Sequence, residues 1–329
     1  MSAKPTHLVD LMGLEQSWVL DLFRLADELR ATRGQADGPK PLAGKTAALV
    51  FHKPSLRTRV SFTVGMHELG GDVVDLTKAE VAEHGRESIP DVAHVLSGMC
   101  DLIVARTFSH RLVRELAGNA TVPVINALTD YSHPCQILAD LYTLWRMKRD
   151  LNDMTVAWVG DGNNVLHSWL EAATIFDFEL RLAVPDGFEP DAALFLEAER
   201  RSTGGVRRFR EPQEAVQGAD VVYTDTWTSM GQEAESDWRR VCFSGFRVDD
   251  ELMAYAKKNA AFMHCLPAHR GEEVTDQVLD GEQSVVVPQA ENRLHLQKAL
   301  MVRLVEARGS RATQEKPRAA TGPRVRVAE

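Results

Sequence analysis

Cysteine is scarce in this sequence: four occur in 329 residues, at positions 100, 135, 242 and 265. None has the Cys-x-x-Cys spacing of a zinc site, and together they give no disulfide framework, so all four are read as reduced thiols. Long apolar runs are missing as well. None approaches the roughly 18 residues that cross a bilayer, and Met1 to Asp10 has no apolar core of the signal-peptide kind. The expected location is the cytoplasm, with no membrane partner. Positive charge is in deficit, with a net charge of −9 and a pI near 5.7. Without a global basic field, nucleic acid is not an expected partner, and any functional arginines must act locally on a small anion. Repeats at solenoid periods are absent too.

What is present is a globular chain, 44% hydrophobic and long enough for two domains. After an amphipathic stretch from Leu14 to Leu29 and a Gly/Pro-rich linker near Gly34 to Gly44, apolar runs alternate with helical patterns. That alternation predicts an α/β protein of two domains, each a parallel sheet flanked by helices. Strands are expected at Thr46–Phe51, Val73–Leu76, Leu102–Ala105 and Val124–Asn126. In the second half they are expected at Thr155–Val159, Leu180–Val184, Val206–Phe209, Asp220–Thr224, Ala261–His264 and Val285–Val287. The domain boundary is placed at 148/149, beside Leu151-Asn152-Asp153, so the domains are 1–148 and 149–291. A last helix, 292–308, is expected to return to the first domain. The tail 309–329, rich in Arg, Pro, Ala and Thr, is expected to be disordered.

The most informative segment is Ser55-Leu56-Arg57-Thr58-Arg59, which follows an apolar run and opens a helical pattern. Ser55 is a natural N-cap, and the first-turn amides of Leu56, Arg57 and Thr58 are free to meet an anion. Arg57 adds a planar fork matched to phosphate oxygens. Arg59 lies about 200° further round the helix and is assigned to structure. The alternative is an ordinary capped helix with surface arginines. Leu56, Val60 and Val64 mark its expected buried stripe, and Gly70-Gly71 its end.

Other segments carry polar chemistry less specifically. Gly160-Asp161-Gly162-Asn163-Asn164-Val165 resembles a dinucleotide fingerprint but has Val165 at the third glycine position and no acidic residue ending the next strand, which argues against nucleotide binding. Asn164 is placed to hold a polar substrate, and Asn163 is read as a turn former. His133 and Gln136 share one face of a helix beginning at Pro134, either as donors to a carbonyl oxygen or as a satisfied structural pair. Asp225, in Thr224 to Gln232, either seats an ammonium group or caps a turn. His264 and Cys265 are expected to point to opposite faces of a strand, which excludes a nucleophile and base pair. Leu266-Pro267 is a candidate cis peptide. Arg106 and Arg293 serve an anion or pair at the surface.

Taken in order, Ser55-Leu56-Arg57-Thr58-Arg59, His133-Pro134-Cys135-Gln136, Asp161-Gly162-Asn163-Asn164, Asp225 through Ser229-Met230-Gly231, and His264-Cys265-Leu266-Pro267 resemble the ornithine carbamoyltransferase family over residues 7 to 307. The resemblance implies transfer of a carbamoyl group from carbamoyl phosphate to L-ornithine, giving citrulline in arginine metabolism, with no metal or organic cofactor. It implies a trimer, or a multiple of trimers, with active sites near subunit interfaces. It also implies that Ser55, Leu56, Arg57 and Thr58 bind the phosphate, and that Arg106, His133, Gln136 and Arg293 contact the carbamoyl end or its bridge, with Cys265 and the Leu266 carbonyl close by. Arg57, Arg106, His133 and Cys265 are the implied catalytic set. Asn164 and the Met230 amide would take ornithine's α-carboxylate, and Asp225 and Ser229 its α-ammonium. The sequence departs from the family pattern in three places. Leu56 stands for a commoner threonine, Ala82 for an intersubunit Gln or His that His84 could replace, and Thr226 and Thr228 for apolar residues.

Overall fold

The computed structural model describes residues 5–35, 37–82 and 85–314. His84, the candidate intersubunit residue, lies outside the described residues, as do residues 315–329 of the expected disordered tail.

The first half of the chain runs α1 (Gln16–Ala31), β1 (Thr46–Phe51), α2 (Leu56–Glu68), β2 (Asp72–Thr77), α3 (Ile89–Met99), β3 (Leu102–Arg106), α4 (His110–Asn119), β4 (Val124–Leu128) and α5 (Pro134–Arg146). Its four strands form a parallel sheet in the order β2-β1-β3-β4. The inner strands β1 and β3 are almost wholly buried, as expected when helices cover both faces. Edge strand β2 is largely exposed and carries Asp72 and Asp75, charges that discourage pairing with another sheet.

The second half runs β5 (Thr155–Val159), α6 (Asn164–Ala172), β6 (Glu179–Ala183), α7 (Ala192–Arg201), β7 (Val206–Phe209), α8 (Pro212–Val216), β8 (Val221–Thr224), α9 (Ser236–Cys242), α10 (Asp250–Met253), β9 (Ala261–His264), α11 (Asp276–Leu279) and α12 (Val286–Gln314). Its sheet is also parallel, in the order β7-β6-β5-β8-β9. The chain crosses from one sheet to the other between Arg146 and Thr155. The last helix, α12, packs back against α1, α2 and α5.

Three local expectations fail for identifiable reasons. The run Val285–Val287 is not a strand: only a single bridge, Ser284 with Phe262, extends the sheet there, and α12 begins at Val286. Pro288 then sits in its first turn, where a missing N–H costs no intrahelical bond. The helix also continues past Arg308 to Gln314, so residues 309–314 belong to it. On α2, Leu56 is 76% exposed and Val60 50%. The buried face is instead Thr58, Ser61, Phe62, Gly65 and Met66. That face meets α12 so closely that a Cβ on Gly65 would lie 3.1 Å from Met301 and 3.2 Å from Lys298. A small, partly polar stripe is therefore what lets the two helices approach.

Candidate active site

In each sheet one strand sits where successive connections leave in opposite directions: β1 between β2 and β3, and β5 between β6 and β8. Loops at the carboxyl ends of such strands part and leave a crevice. The two crevices face one another across a single cleft of about 1380 Å³. All the sequence-predicted site residues line it. From the first half come Ser55, Leu56, Arg57 and Thr58 after β1, Arg106 at the end of β3, and His133 and Gln136 at the start of α5, with Arg293 added from α12. From the second half come Asn164, Asp225, Ser229, Met230, Cys265 and Leu266.

Ser55 caps α2 as its sequence suggests, accepting the Thr58 N–H at 3.3 Å. Arg57 reaches across the cleft and donates through Nη2 to the Leu266 carbonyl at 2.6 Å. Leu266 is presented by a cis Leu266-Pro267 peptide and has a φ of 58°. Arg59 stays outside the cleft, paired with Asp75 at 2.6 Å and lying over the Phe51 ring. The helical separation of the two arginines thus sorts them as read from the sequence.

Thr58 is the hub of the first wall. Its Oγ1 accepts from Arg293 Nη2 at 2.8 Å and from Arg106 Nη1 at 3.4 Å, so its own proton is left to donate elsewhere. Arg106 and Arg293 are buried, and the Nε of each has no protein partner. Burial first, and then the neighbouring Arg293, lower the Arg106 pKa to about 10, which still leaves it charged at neutral pH. Crowded guanidiniums with unspent donors are costly unless an anion joins them. His133 answers to the same field: burial, followed by Arg293, Arg106 and Arg57, holds its imidazole well below the ordinary histidine range. It is therefore a neutral ring with one N–H to give.

Gln136 differs from expectation. Its Nε2 donates to Asp140 Oδ1 at 2.9 Å, while its buried Oε1 has no protein partner. It thus offers an acceptor, suited to an amide N–H, where a second donor to a carbonyl oxygen was expected. Asp140, one helical turn further on, was not singled out in the sequence. It also accepts from Tyr223 and Gln289, each at 2.8 Å, and so ties α5 to β8 and α12. Its burial raises its pKa to about 7. Lys53 was missed too. It lines the cleft, pairs with Asp130 and sits 4.3 Å from the Phe108 ring centroid. The i, i+4 spacing from Gln136 was the only sequence signal for Asp140, and adjacency to the Ser55 motif the only one for Lys53.

On the second wall, Asn163 forms its turn by accepting Val165 and Leu166 N–H groups at 2.9 and 3.2 Å, and it also donates to Asp225 Oδ2 at 2.8 Å. Asn164 donates to the Thr129 carbonyl at 2.6 Å, which fixes its amide at the cleft. Gly162 has no nucleotide role: a Cβ there would fall 2.3 Å from the Phe188 carbonyl oxygen, so the chain itself occupies that approach. Asp161 is held by Arg239 at 3.2 Å, a buried partner that carried no motif signal.

The expected separation of His264 and Cys265 is not observed. Strand β9 ends at His264, so strict alternation does not govern Cys265, and a ring nitrogen, the thiol and an Asp225 oxygen lie within 4.8 Å of one another. Covalent chemistry at Cys265 is still disfavoured. Its Sγ donates to Asp225 Oδ1 at 3.0 Å, and burial together with the Asp225 charge pushes the thiol pKa well above its usual value. The thiolate that would attack is suppressed.

Residues 6–146 match the family model for the aspartate/ornithine carbamoyltransferase carbamoyl-P binding domain, and residues 152–304 match that for the Asp/Orn binding domain. The ornithine carbamoyltransferase of Rhodopseudomonas palustris is 49% identical over 298 residues, spanning 90% of this chain and 96% of that protein. That of Nitrosococcus oceani is 48% identical over 299 residues, spanning 91% and 97%. Among solved structures, the ornithine carbamoyltransferase of Pyrococcus furiosus superimposes with a TM-score of 0.87 at 44% identity, over 91% of this chain and 97% of that one. With both domain models matched and the two sets of site residues facing one cleft, the chain belongs to the aspartate/ornithine carbamoyltransferase family.

Proposed function

We propose that this protein transfers the carbamoyl group of carbamoyl phosphate to the δ-amine of L-ornithine, giving citrulline and phosphate. The observation that carries this reading is the division of charge in the cleft. Guanidiniums with unspent donors line one wall, and a carboxylate with two asparagines lines the other. The first suits a phosphorylated anion and the second a zwitterionic amino acid. Residues 1–148 would hold carbamoyl phosphate and residues 149–291 ornithine.

The α2 N-terminus at Ser55, Leu56 and Thr58, with Arg57, grips the phosphate. Leu56 acts there through its backbone, so its exposed side chain is no obstacle. Arg106, the neutral His133 and the Thr58 hydroxyl donate to the carbonyl oxygen, while Gln136 Oε1 accepts from the carbamoyl nitrogen. Arg293 supports the bridge to phosphate, and the Leu266 carbonyl borders the carbamoyl group. Asp225 and Ser229 take ornithine's α-ammonium, and Asn164 and the Met230 amide its α-carboxylate. The δ-ammonium loses a proton and its nitrogen bonds to the carbonyl carbon. An oxyanion forms facing Arg106, and as it collapses the bond to the phosphate oxygen breaks while the remaining excess proton on the δ-nitrogen passes to the departing phosphate. Cys265 positions Asp225 and forms no covalent intermediate. Holding both substrates in attack geometry supplies up to about 7 to 11 kcal/mol of the barrier. No step calls on a metal or organic cofactor.

The test is citrulline formation from carbamoyl phosphate with ornithine, lysine and putrescine side by side. Turnover with ornithine should exceed the others by orders of magnitude; preference for another amine would reassign the acceptor, and binding without turnover would make the chain a non-catalytic relative.

A trimer is proposed as the working form. Exposed Leu56 and Val60 on α2 give apolar surface beside the phosphate loop that a neighbouring copy can cover. Light scattering should return three times the 36.6 kDa chain mass, or a multiple of three; a monomer would overturn it. The cytoplasm is the proposed location. Among the described residues, no helix is long and apolar enough to cross a membrane.

A further inference from the structure

Past β9, at the rim of the cleft, a second cluster has no part in the proposed reaction. His269 Nδ1 lies 4.0 Å from Glu272 Oε2 and 4.0 Å from Glu273 Oε2, and all three donor atoms fall within 4.8 Å of one another. Glu273 makes the cluster more than a surface ion pair. Its side chain is 0% exposed, yet Oε2, the oxygen that faces His269, has no hydrogen-bond partner. Its other oxygen is fully used, accepting the His269 N–H at 2.6 Å and facing His264 Nε2 at 3.2 Å. A buried carboxylate oxygen without a partner is uncommon in a folded protein and calls for an occupant.

We propose that His269, Glu272 and Glu273 bind a divalent transition metal of the zinc class. Donors held at about 2.1 Å by a tetrahedral ion sit about 3.4 Å apart, so the two 4.0 Å gaps from His269 must close by roughly half an ångström, and the Glu272–Glu273 gap, within 4.8 Å, must come to the same spacing, for the site to form. One imidazole and two carboxylates form a donor set that zinc accepts, with the fourth position open to the cleft. His269 is exposed and can move, whereas Glu273 is anchored. Glu272 keeps Oε2 available because its contacts with Arg240, at 2.9 Å, go to Oε1. Arg270 adds no competing charge at the ion, being engaged by Asp276 and Asp280 at 2.6 and 2.7 Å. Binding would fasten the loop to the end of β9 through the Glu273–His264 contact, next to the Leu266 carbonyl that receives Arg57.

The experiment is Co²⁺ binding, followed by visible absorption and calorimetry, to the metal-free full-length protein and to His269→Ala and Cys265→Ser. The nearby Asp225, His264 and Cys265 atoms are the competing site, and only they include sulfur. The expected result is one ion per chain with tetrahedral d–d bands and no thiolate charge-transfer band. Affinity should fall at least tenfold in His269→Ala and stay unchanged in Cys265→Ser. Because His269 is exposed, metal-free His269→Ala should melt within a few degrees of wild type, which separates lost binding from lost folding. No binding, equal binding by His269→Ala, or a thiolate band that disappears in Cys265→Ser would each overturn the proposal.

Discussion

Replacing Arg106 by alanine is expected to lower kcat/KM for citrulline formation by about 10² to 10³-fold, the loss typical of deleting one preorganised oxyanion donor. Arg106 ends β3 with 8% of its surface exposed, keeps its charge at neutral pH, and has an Nε without a protein partner. Its donors are therefore in place before substrate arrives. The same features set the stability of the variant. Arg106 is buried among Arg293 and Arg57, and both repel it. Removing it from the ligand-free protein should leave the melting temperature unchanged or raise it. A fall in kcat with no fall in Tm is the expected signature. A large drop in Tm with activity lost in proportion would make Arg106 a structural residue and end the oxyanion assignment.

Asp225→Asn is expected to raise the KM for ornithine by about 10- to 150-fold, the equivalent of one charge-assisted hydrogen bond of roughly 1.5 to 3 kcal/mol, while the affinity for carbamoyl phosphate changes less than about threefold. Asparagine keeps the shape and can still accept from Asn163, so the wall around it should survive; what is lost is the negative charge proposed to face the ammonium. The Cys265 thiol also donates to this carboxylate, and Cys265→Ser, which keeps a donor there, should be the milder change. Equal weakening of both substrates by Asp225→Asn would show that the two walls are not separate binding surfaces. A preserved ornithine KM would move the ammonium site elsewhere.

Much of this site was legible before any coordinates. Ser55 and Arg57 declare themselves through local rules: a cap residue after a buried strand, and a fork on the first helical turn. The strand at Thr46–Phe51 and the start of α5 at Pro134 follow from apolar runs and from proline's place in a first turn. The misses share a cause. Leu56 and Val60 look like a buried stripe because hydrophobic periodicity records that a face is apolar and not what covers it; here α12, more than 200 residues later, claims the Thr58 and Gly65 face instead. Asp140 looks like an ordinary helix residue until Tyr223 and Gln289 close over it from two other elements. Gln136 exposes an acceptor in place of a donor for the same reason, since Asp140 takes its N–H.

The sequence by itself determined most of the element order, the parallel α/β class, the capped helix start after β1 and the sorting of Arg57 from Arg59, because each depends on neighbours within a few residues along the chain. Only the tertiary structure decided that Arg106 and Arg293 share Thr58, that Arg57 reaches Leu266, and that Asp225 is gripped by Asn163 and Cys265. These contacts join residues separated by 40 to more than 230 positions. No periodicity or spacing encodes them. They exist because two parallel sheets turn their carboxyl ends toward one another, and because a helix at the far end of the chain packs back across the first lobe.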